Sequence, residues 1–248
     1  MTMNDLDSAT SLGATLYKEV ARRMLAALSA GEWKPGEAIP AEKKLSERFS
    51  VSIGTLRKAI DELVAENILI RHQGRGTYVA THNREQQLFR FFNIVRLDGV
   101  RTYPTVELVG FGHAKADKRV ADKLAISRHA KVVHYTNLLT LNGEPVIVDE
   151  IYLPAAMFAG LTEQMLRERP NTLYNLYQTG FNMNVIRIDE RLRGSLASAP
   201  HAALLGCAPG APLLEMHRVA FSFNQQPIEY RVSSVNTANY EYLAAGSQ

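Results

Sequence analysis

The sequence is poor in the features that mark secreted, metal-bound or membrane-embedded proteins. Its 248 residues include one cysteine, Cys207, which excludes an internal disulfide framework, and no residue spacing suggests a metal cluster or a cofactor. No apolar run is long enough to cross a bilayer. The N-terminus lacks a basic region followed by an apolar run, so no signal peptide is expected. These absences predict a soluble, cytoplasmic protein without a membrane partner.

The chain also lacks a large excess of one charge. The net charge is +3, and residues 10–80 hold 11 Lys/Arg against 8 Asp/Glu, an excess of 11 − 8 = 3. A local excess of this size favours recognition of a specific nucleic-acid sequence over bulk coating. The length favours two domains, and the hydrophobic share of 46% supports packed cores.

Residues 16–64 show the apolar spacing of three helices. A stripe at four-residue steps predicts the first helix, which should end near Gly31: Leu16, Val20, Met24 and Leu28. Leu45 and Phe49 predict a short second helix that starts near Pro40. Ser52 is the expected N-cap of a third helix, whose buried face comprises Leu56, Ala59, Ile60, Leu63 and Val64.

Two β-prone runs follow, at residues 68–70 and 77–79, on either side of a turn at residues 73–76. Three helices followed by a hairpin is the order of elements in a winged helix-turn-helix. Such a domain places the start of its third helix in the major groove of DNA. The sequence therefore predicts double-stranded operator DNA as a partner.

Candidate DNA contacts lie at the start of the third helix and on the hairpin, or wing. Hydroxyl and guanidinium groups reach base edges and phosphates, and glycine permits close backbone approach. The residues that fit are Gly54, Thr55, Arg57 and Lys58 on the helix, and Arg71, Gly74 and Arg75 on the wing. A three-helix bundle with a solvated charged face is the alternative for any one of these charges.

The same region resembles the N-terminal domain of the GntR family of bacterial transcription regulators. The matching segments include Pro35-Gly36, Pro40-Ala41-Glu42, Thr55-Leu56-Arg57 and Gly74-x-Gly76-Thr77-Tyr78-Val79. The resemblance implies DNA roles for Lys43, Ser52, Thr55, Arg57 and Gly74. Ile53 stands where many members have a base-contacting arginine, which leaves the operator sequence open. Asn67 replaces a glycine and tolerates the same left-handed turn.

Residues 81–92 are expected to form a linker that ends in Phe89, Phe91 and Phe92, which should join the next core. Residues 93–245 predict strand pairs separated by short helices, an α+β arrangement with an antiparallel sheet. Residues 132–141 and 145–153 flank Asn142-Gly143, a strong hairpin signal. Residues 213–223 and 227–235 predict a second strand pair. The expected domains are thus residues 10–80 and 93–245.

This second half resembles the UTRA effector-binding domain of the HutC subfamily, which has a chorismate-lyase-like fold. The resemblance rests on Asn142-Gly143-x-Pro145-Val146, Tyr152-Leu153-Pro154, Leu204-Leu205-Gly206 and Pro227-Ile228-Glu229-Tyr230, among others. In that family the domain binds a small metabolite and supports dimerisation. The resemblance therefore implies a homodimer and a small polar or anionic effector.

The resemblance places Asp149 and Glu229 at the two acidic positions of the effector pocket. A pair of phosphate-binding arginines in family members that bind sugar phosphates aligns with Asn137 and Leu139 here. Because arginine suits bidentate phosphate contacts, the effector is expected not to be a sugar phosphate. Possible anion partners that remain are Arg101, His134, Arg187 and Arg231.

Two other function classes compete with this interpretation. An enzyme of chorismate-lyase-like fold fused to a DNA-binding domain would use Asp149, Glu229 and His134 in acid–base chemistry, but fold does not imply function. An architectural DNA-binding protein would not need the large, strand-rich second domain. We therefore expect a repressor, not an enzyme, that a metabolite releases from its operator.

Overall fold

A computed structural model describes residues 3–81, 92–170 and 172–244 of the chain. The chain divides into two compact units, Met1–Thr81 and His82–Gln248. The predicted α+β class, with a helix-turn-helix unit followed by a unit built on an antiparallel sheet, is confirmed. The first helix of the N-terminal unit starts at Met3.

The N-terminal unit contains three helices and a wing. The elements are α1 (Met3–Ser29), α2 (Glu42–Phe49), α3 (Ile53–Ala65), β1 (Leu69–His72) and β2 (Gly76–Val79). The segment after Gly36 adds to the wing, since Ile39 N donates to Thr77 O and Val79 N donates to Glu37 O. Its core draws on every helix and on the wing, through Val20, Met24, Leu45, Leu56, Ile60, Leu63 and Val79.

The predicted stripe on α1 is confirmed in part. Val20, Met24 and Leu28 are buried, but Leu16 is 47% exposed. The helix runs on from Leu16 toward Met3, so Leu16 lies beyond the part of α1 that packs in the core. Gly31 has a φ of +75° and closes the helix as expected.

The C-terminal unit is built on a six-stranded antiparallel sheet of order β4-β5-β6-β9-β8-β7. The strands are β4 (Thr105–Lys115), β5 (Lys131–Leu141), β6 (Glu144–Pro154), β7 (Arg187–Leu196), β8 (Pro212–Phe221) and β9 (Pro227–Val235). Asn142 and Gly143 both have positive φ, which the predicted hairpin turn between β5 and β6 requires. A separate two-stranded sheet pairs β3 (Ile94–Arg96) with β10 (Tyr240–Tyr242).

Helices cover both faces of the large sheet. They are α4 (Lys118–Leu124), α5 (Glu163–Glu168), α6 (Leu173–Phe181) and α7 (Ala199–Leu205). Leu166 of α5 and Tyr174 and Tyr177 of α6 pack with Tyr135 and Ile151 on one face. On the other face, α4 packs against Val132 and Tyr230, and α7 packs against Val148. Alternate residues of the central strands β5 and β6 therefore pack into cores on opposite faces of the sheet.

Three strands were not predicted from the sequence. Strand β7 is an edge strand rich in charge and largely exposed, so it lacks the apolar alternation that marks a strand. Strands β3 and β10 have three residues each and are brought together only by the fold. Phe92 packs against the core that contains Ile94, as expected, whereas Phe89 and Phe91 lie outside the described residues.

Candidate nucleic-acid interface and ligand pocket

The start of α3 is an exposed helix N-terminus capped by a hydroxyl. Ser52 Oγ accepts from Thr55 N at 3.1 Å and lies 2.9 Å from Thr55 Oγ1. Gly54, Arg57 and Lys58 are exposed on the same turns. Free backbone N–H groups and the helix dipole attract phosphate at such an end. The arrangement can therefore position a phosphate while neighbouring side chains reach outward.

Arg57 is held by a carboxylate of the preceding helix. Its Nε donates to Glu42 Oε2 at 2.7 Å, and the two side chains are 61% and 32% exposed. An ion pair this exposed contributes little to stability, so another anion can displace Glu42 at low cost. Lys43, also on α2, is exposed beside Glu42.

The wing is joined to α3 by an ion pair. Arg71 Nη1 on β1 lies 2.9 Å from Asp61 Oδ1 on α3. Gly74 at the tip has a φ of +72°, and a Cβ built there meets no atom within 4 Å. Arg75 is exposed at the tip, and its carbonyl accepts from Tyr78 OH at 3.3 Å. All nine predicted DNA contacts thus belong to one unit, and all but the partly buried Thr55 are exposed.

The C-terminal unit contains a cavity of about 400 Å³ between the large sheet and the start of α6. Its floor comes from neighbouring strands and its wall from α5, α6 and the start of β4. The lining comprises Phe92, Tyr103, Pro104, Thr105, Val106, Asn137, Leu139, Asp149, Arg167, Arg169, Thr172, Leu173, Arg218 and Arg231. A cavity of this size suits a small metabolite.

Arg231 joins the two predicted acidic residues. Its Nη1 donates to Asp149 Oδ2 at 3.0 Å, while its Nε and Nη2 donate to Glu229 at 2.9 and 3.1 Å. Asp149 is 2% exposed and Glu229 is fully buried. Burial alone would lower the pKa of Arg231, but the two carboxylates raise it well above its usual value. Arg231 therefore stays charged and balances both acids.

Glu229 also accepts from two tyrosines of α6. Tyr174 OH donates to Oε1 at 3.2 Å and Tyr177 OH donates to Oε2 at 2.7 Å. Burial, followed by the charge of Glu229, raises the pKa of Tyr174 to about 12. With two bonds from Arg231 and two from neutral tyrosines, the described residues occupy the acceptor sites of this carboxylate. Glu229 therefore lies behind Arg231 and is not part of the lining.

The predicted ligand residues divide into three groups. Asn137, Asp149 and Arg231 line the cavity, and Glu229 supports Arg231 from behind. His134 lies on the opposite face of β5, where it stacks on Tyr152 with 4.5 Å between ring centroids, and burial lowers its pKa. Arg101 is not among the described lining residues, and Arg187 lies on the edge strand β7, where it pairs with Asp189.

Sequence reasoning missed three arginines of the cavity. Arg218 on β8 and Arg167 and Arg169 at the end of α5 line it. They were missed because none of them is near Asn137 in sequence. The absence of arginine at positions 137 and 139 was therefore a poor guide to the charge of the cavity. Arg218 had a detectable signal, because it occupies an inward position of β8 between Met216 and Ala220.

Asn137 carries an unusual buried acceptor. The residue is 3% exposed, and among the described residues its Oδ1 has no hydrogen-bond partner. Buried polar atoms are nearly always paired, so this oxygen is suited to an N–H or O–H group of a ligand. Among the described residues, no group of three or more His, Cys, Asp or Glu is arranged to hold a metal ion. Within the same residues, no helix is long and apolar enough to cross a membrane.

Comparison with known proteins extends over both units. Residues 16–79 match the family described as bacterial regulatory proteins, gntR family, and residues 101–241 match the UTRA domain. A protein of Escherichia coli strain K12 named "Probable fructoselysine utilization operon transcriptional repressor" is 29% identical over 213 residues, 86% of this chain and 87% of that protein. The mannosyl-D-glycerate transport/metabolism system repressor of the same organism is 27% identical over 228 residues, 92% and 94% of the two chains.

A solved structure supports the architecture of the C-terminal unit. The ligand-binding domain of a GntR-family transcriptional regulator from Bordetella bronchiseptica superposes with a TM-score of 0.59 at 29% identity. The match covers 63% of this chain and 97% of that chain. The similarity therefore extends over nearly the whole of that ligand-binding domain.

Proposed function

Because the chain belongs to the GntR family and is a ligand-responsive DNA-binding transcriptional regulator with a UTRA domain, we propose that it is a HutC-type repressor. A small metabolite bound in the cavity of the C-terminal unit releases it from its operator. The cavity is the observation that carries this proposal, since it combines buried charged groups with the unpaired acceptor of Asn137. Release requires that the effector bind the DNA-incompetent state more tightly.

DNA recognition in this proposal uses the start of α3 and the wing. The α3 N-terminus with Ser52, Gly54 and Thr55 approaches a phosphate, and Arg57 leaves Glu42 for a base edge or a phosphate. The remaining contacts come from Lys43, Lys58, Arg71, Gly74 and Arg75. The exposure of these groups supports the assignment.

The proposed assembly is a homodimer that reads a two-fold operator. Helix-turn-helix proteins bind as dimers whose symmetry is mirrored in the two half-sites. In this proposal residues 10–80 form the DNA-binding domain, residues 81–92 the linker, and residues 93–245 the effector-binding and dimerisation domain. The protein acts in the cytoplasm, where the bacterial chromosome lies.

The proposed effector is a small compound that carries both an anionic group and a hydroxyl or amine donor. Arg167, Arg169, Arg218 and Arg231 line the cavity together with one carboxylate, Asp149. The carboxylates of Glu163, Glu190 and Glu229, which also pair with these arginines, are not among its described lining. An anion therefore meets guanidinium groups, and a donor of the ligand meets Asn137 Oδ1. Two relatives are named for fructoselysine and mannosyl-D-glycerate, which both combine a carboxylate with hydroxyl groups.

Binding without catalysis is the proposed role of the acidic residues. Asp149 accepts from Ser233 and Arg231, and Glu229 accepts from Arg231 and two tyrosines. An acid or base that moves a proton must be available to the substrate. Asp149 lines the cavity but is held by Arg231 and Ser233, whereas Glu229 lies behind Arg231 and His134 lies on the other face of the sheet. These contacts favour a binding domain over an enzyme of the same fold.

Replacing Gly74 with valine is expected to weaken operator binding severalfold and to leave effector binding unchanged. Valine at the φ of +72° found here is strained, at a cost of about 1–3 kcal/mol, and its side chain obstructs close approach of the wing to DNA. Fluorescence anisotropy with an operator selected from random DNA measures the first effect, and calorimetry measures the second.

Gly160→Val is the matched control for this variant. Gly160 has a φ of +86°, and a Cβ built there also meets no atom within 4 Å, but it lies in the C-terminal unit. Operator affinity should therefore survive in Gly160→Val. A parallel loss of operator and effector binding in Gly74→Val would indicate general misfolding and remove the support for the wing.

Calorimetry on the full chain tests the effector class. We expect micromolar binding of a carboxylated sugar or sugar–amino acid conjugate such as mannosyl-D-glycerate or fructoselysine. Asn137→Leu should weaken that binding about 5- to 150-fold, because the donor of the ligand loses its partner in a buried site. Thr136→Val is the control, since residue 136 points to the opposite face of the same strand.

The same titrations include glucosamine and trehalose phosphates as competing candidates. Tighter binding of either phosphate, with no change in Asn137→Leu, would show that the arginines select a phosphate and that Asn137 is not part of the site. If calorimetry detects no binding of any compound in the panel, the proposed effector class is wrong.

A further inference from the structure

A chain of partly buried hydrogen bonds leads from the cavity to Asn93, near the start of the described part of the C-terminal unit. Arg218, which lines the cavity, donates from Nε to Glu190 Oε1 at 2.8 Å. Tyr242 OH donates to Glu190 Oε2 at 2.8 Å, and Asn93 Nδ2 donates to Tyr242 OH at 3.2 Å. The four side chains belong to β8, β7, β10 and the segment just before β3, so the fold alone brings them together.

The ion pair at the centre of this chain is shielded from water. The side chains of Arg218 and Glu190 are 8% and 9% exposed. Burial alone would raise the pKa of Glu190, but the Arg218 charge and its hydrogen bonds hold the pKa below the usual value. Glu190 is therefore ionised at neutral pH, and its two oxygens bind the cavity arginine on one side and Tyr242 on the other. A change in the bond between Arg218 and Glu190 therefore changes the strength of the bond between Glu190 and Tyr242.

Asn93 lies at the start of the described part of the C-terminal unit. Its carbonyl accepts from Leu243 N at 2.8 Å, and β3 follows at once in register with β10. The entering chain is thus fastened to residues 240–243 by backbone pairing and by the Asn93–Tyr242 side-chain bond. In sequence, the DNA-binding unit ends at Thr81, and residues 82–91 separate it from this segment.

We propose that Glu190 and Tyr242 are positioning residues that couple the state of Arg218 in the cavity to the Asn93 segment. This inference rests on the proposed function. When an anionic effector binds Arg218, Glu190 loses its cation and no longer fixes the Tyr242 hydroxyl. The hydrogen bond between Tyr242 and Asn93 then weakens. The intact chain of bonds belongs to the DNA-competent state, and the effector favours the state in which it is broken.

The test measures operator affinity of the full-length Tyr242→Phe and Tyr240→Phe proteins. Phenylalanine at 242 removes the hydroxyl that bonds both Glu190 and Asn93, and it leaves the direct contact of Asn93 with Glu190 as the remaining link. Tyr240 lies on the same strand, and its hydroxyl donates to Leu141 O at 3.1 Å. It therefore lies outside the relay, which consists of Arg218, Glu190, Tyr242 and Asn93. We expect Tyr242→Phe to bind the operator about 5- to 30-fold more weakly than the wild type, without any effector. Tyr240→Phe should retain wild-type affinity.

The slope of operator affinity against salt concentration separates coupling from damage to the DNA surface. A shift between two states lowers affinity but keeps the number of phosphate contacts, so the slope is unchanged. A lost phosphate contact would make the slope shallower. An altered slope in Tyr242→Phe would therefore overturn the proposal.

A double-mutant cycle with Arg218→Met tests whether the cavity and Asn93 communicate through Glu190. Because that variant leaves a buried carboxylate, Glu190→Gln is made in parallel and all proteins are checked by thermal melting. Each single change should lower operator affinity, and adding Tyr242→Phe should lower it little further, because the relay is already broken. Fully additive losses would overturn the relay.

Failure of the relay is distinguishable from failure of the proposed function. If Tyr242→Phe and Glu190→Gln bind the operator as the wild type does, the relay is overturned while the wild-type protein still binds and responds. If the wild-type protein selects no operator from random DNA, the proposed function itself fails.

Discussion

Replacing Arg231 with leucine is expected to destabilise the C-terminal unit by about 3–5 kcal/mol, since it leaves buried carboxylates without a cation. Asp149 and Glu229 are 2% and 0% exposed, and Arg231 provides three of their hydrogen bonds. The loss is a large fraction of the roughly 5–15 kcal/mol that stabilises a domain. Urea unfolding followed by circular dichroism should show the transition of this unit at least about 1 M lower.

The sequence provides an internal control for this experiment. The single tryptophan, Trp33, is buried in the N-terminal unit, so its fluorescence reports on that unit. The tryptophan transition should stay where it is in Arg231→Leu. Arg193→Leu removes an arginine that is 61% exposed from another ion pair of the same sheet, and a change of less than about 1 kcal/mol is expected.

Neutralising the two acids should recover part of the lost stability. The triple variant Arg231→Leu, Asp149→Asn, Glu229→Gln removes the unpaired charges that cause the loss. We therefore expect it to unfold at a higher urea concentration than Arg231→Leu alone. A triple variant no more stable than the single one would mean that the packing of Arg231, and not its charge, stabilises the unit.

Arg57→Ala is expected to lower operator affinity about 5- to 150-fold and to leave stability almost unchanged. A lost base or phosphate contact costs about 1–3 kcal/mol, and a phosphate contact also makes the salt slope shallower by about one. The fold should tolerate the change because Arg57 is 61% exposed and its ion pair with Glu42 lies at the surface. Anisotropy with the selected operator measures the affinity.

Glu42→Gln is the matched control for Arg57→Ala. It breaks the same ion pair but leaves the arginine, so operator affinity should be equal to or higher than that of the wild type. If Arg57 contacts DNA, Arg57→Ala therefore lowers operator affinity and Glu42→Gln does not. Unchanged affinity in Arg57→Ala would remove this residue from the interface.

Local sequence signals were sufficient for the helix-turn-helix and for the central hairpin. Ser52 caps α3 through Thr55 N, and Asn67 takes the left-handed φ of +55° expected when it replaces glycine. Asn142-Gly143 closes the hairpin between β5 and β6. Caps and tight turns depend on a few consecutive residues, so their physics can be read directly from the chain.

Strand β7 and the arginines of the cavity escaped that approach. A solvent-exposed edge strand shows little apolar alternation, so β7 was not recognised. Glu190 and Arg218 lie on different strands, so their pairing leaves no local signal in the sequence. His134 was named as a possible anion partner, whereas strand alternation turns it to the face opposite the cavity. Side chains far apart in sequence meet only through sheet order.

The sequence by itself determined that this chain has a winged helix-turn-helix followed by an antiparallel α+β domain, since apolar spacing, capping residues and turn residues act over short distances. The tertiary structure alone decided what the cavity presents to a ligand. Sheet order places Asp149, Arg218 and Arg231 on adjacent strands and buries their charges. Each buried charge is then paired with an opposite charge on the same sheet. Burial and long-range pairing arise only when the sheet is assembled, and they give this regulator its candidate effector site.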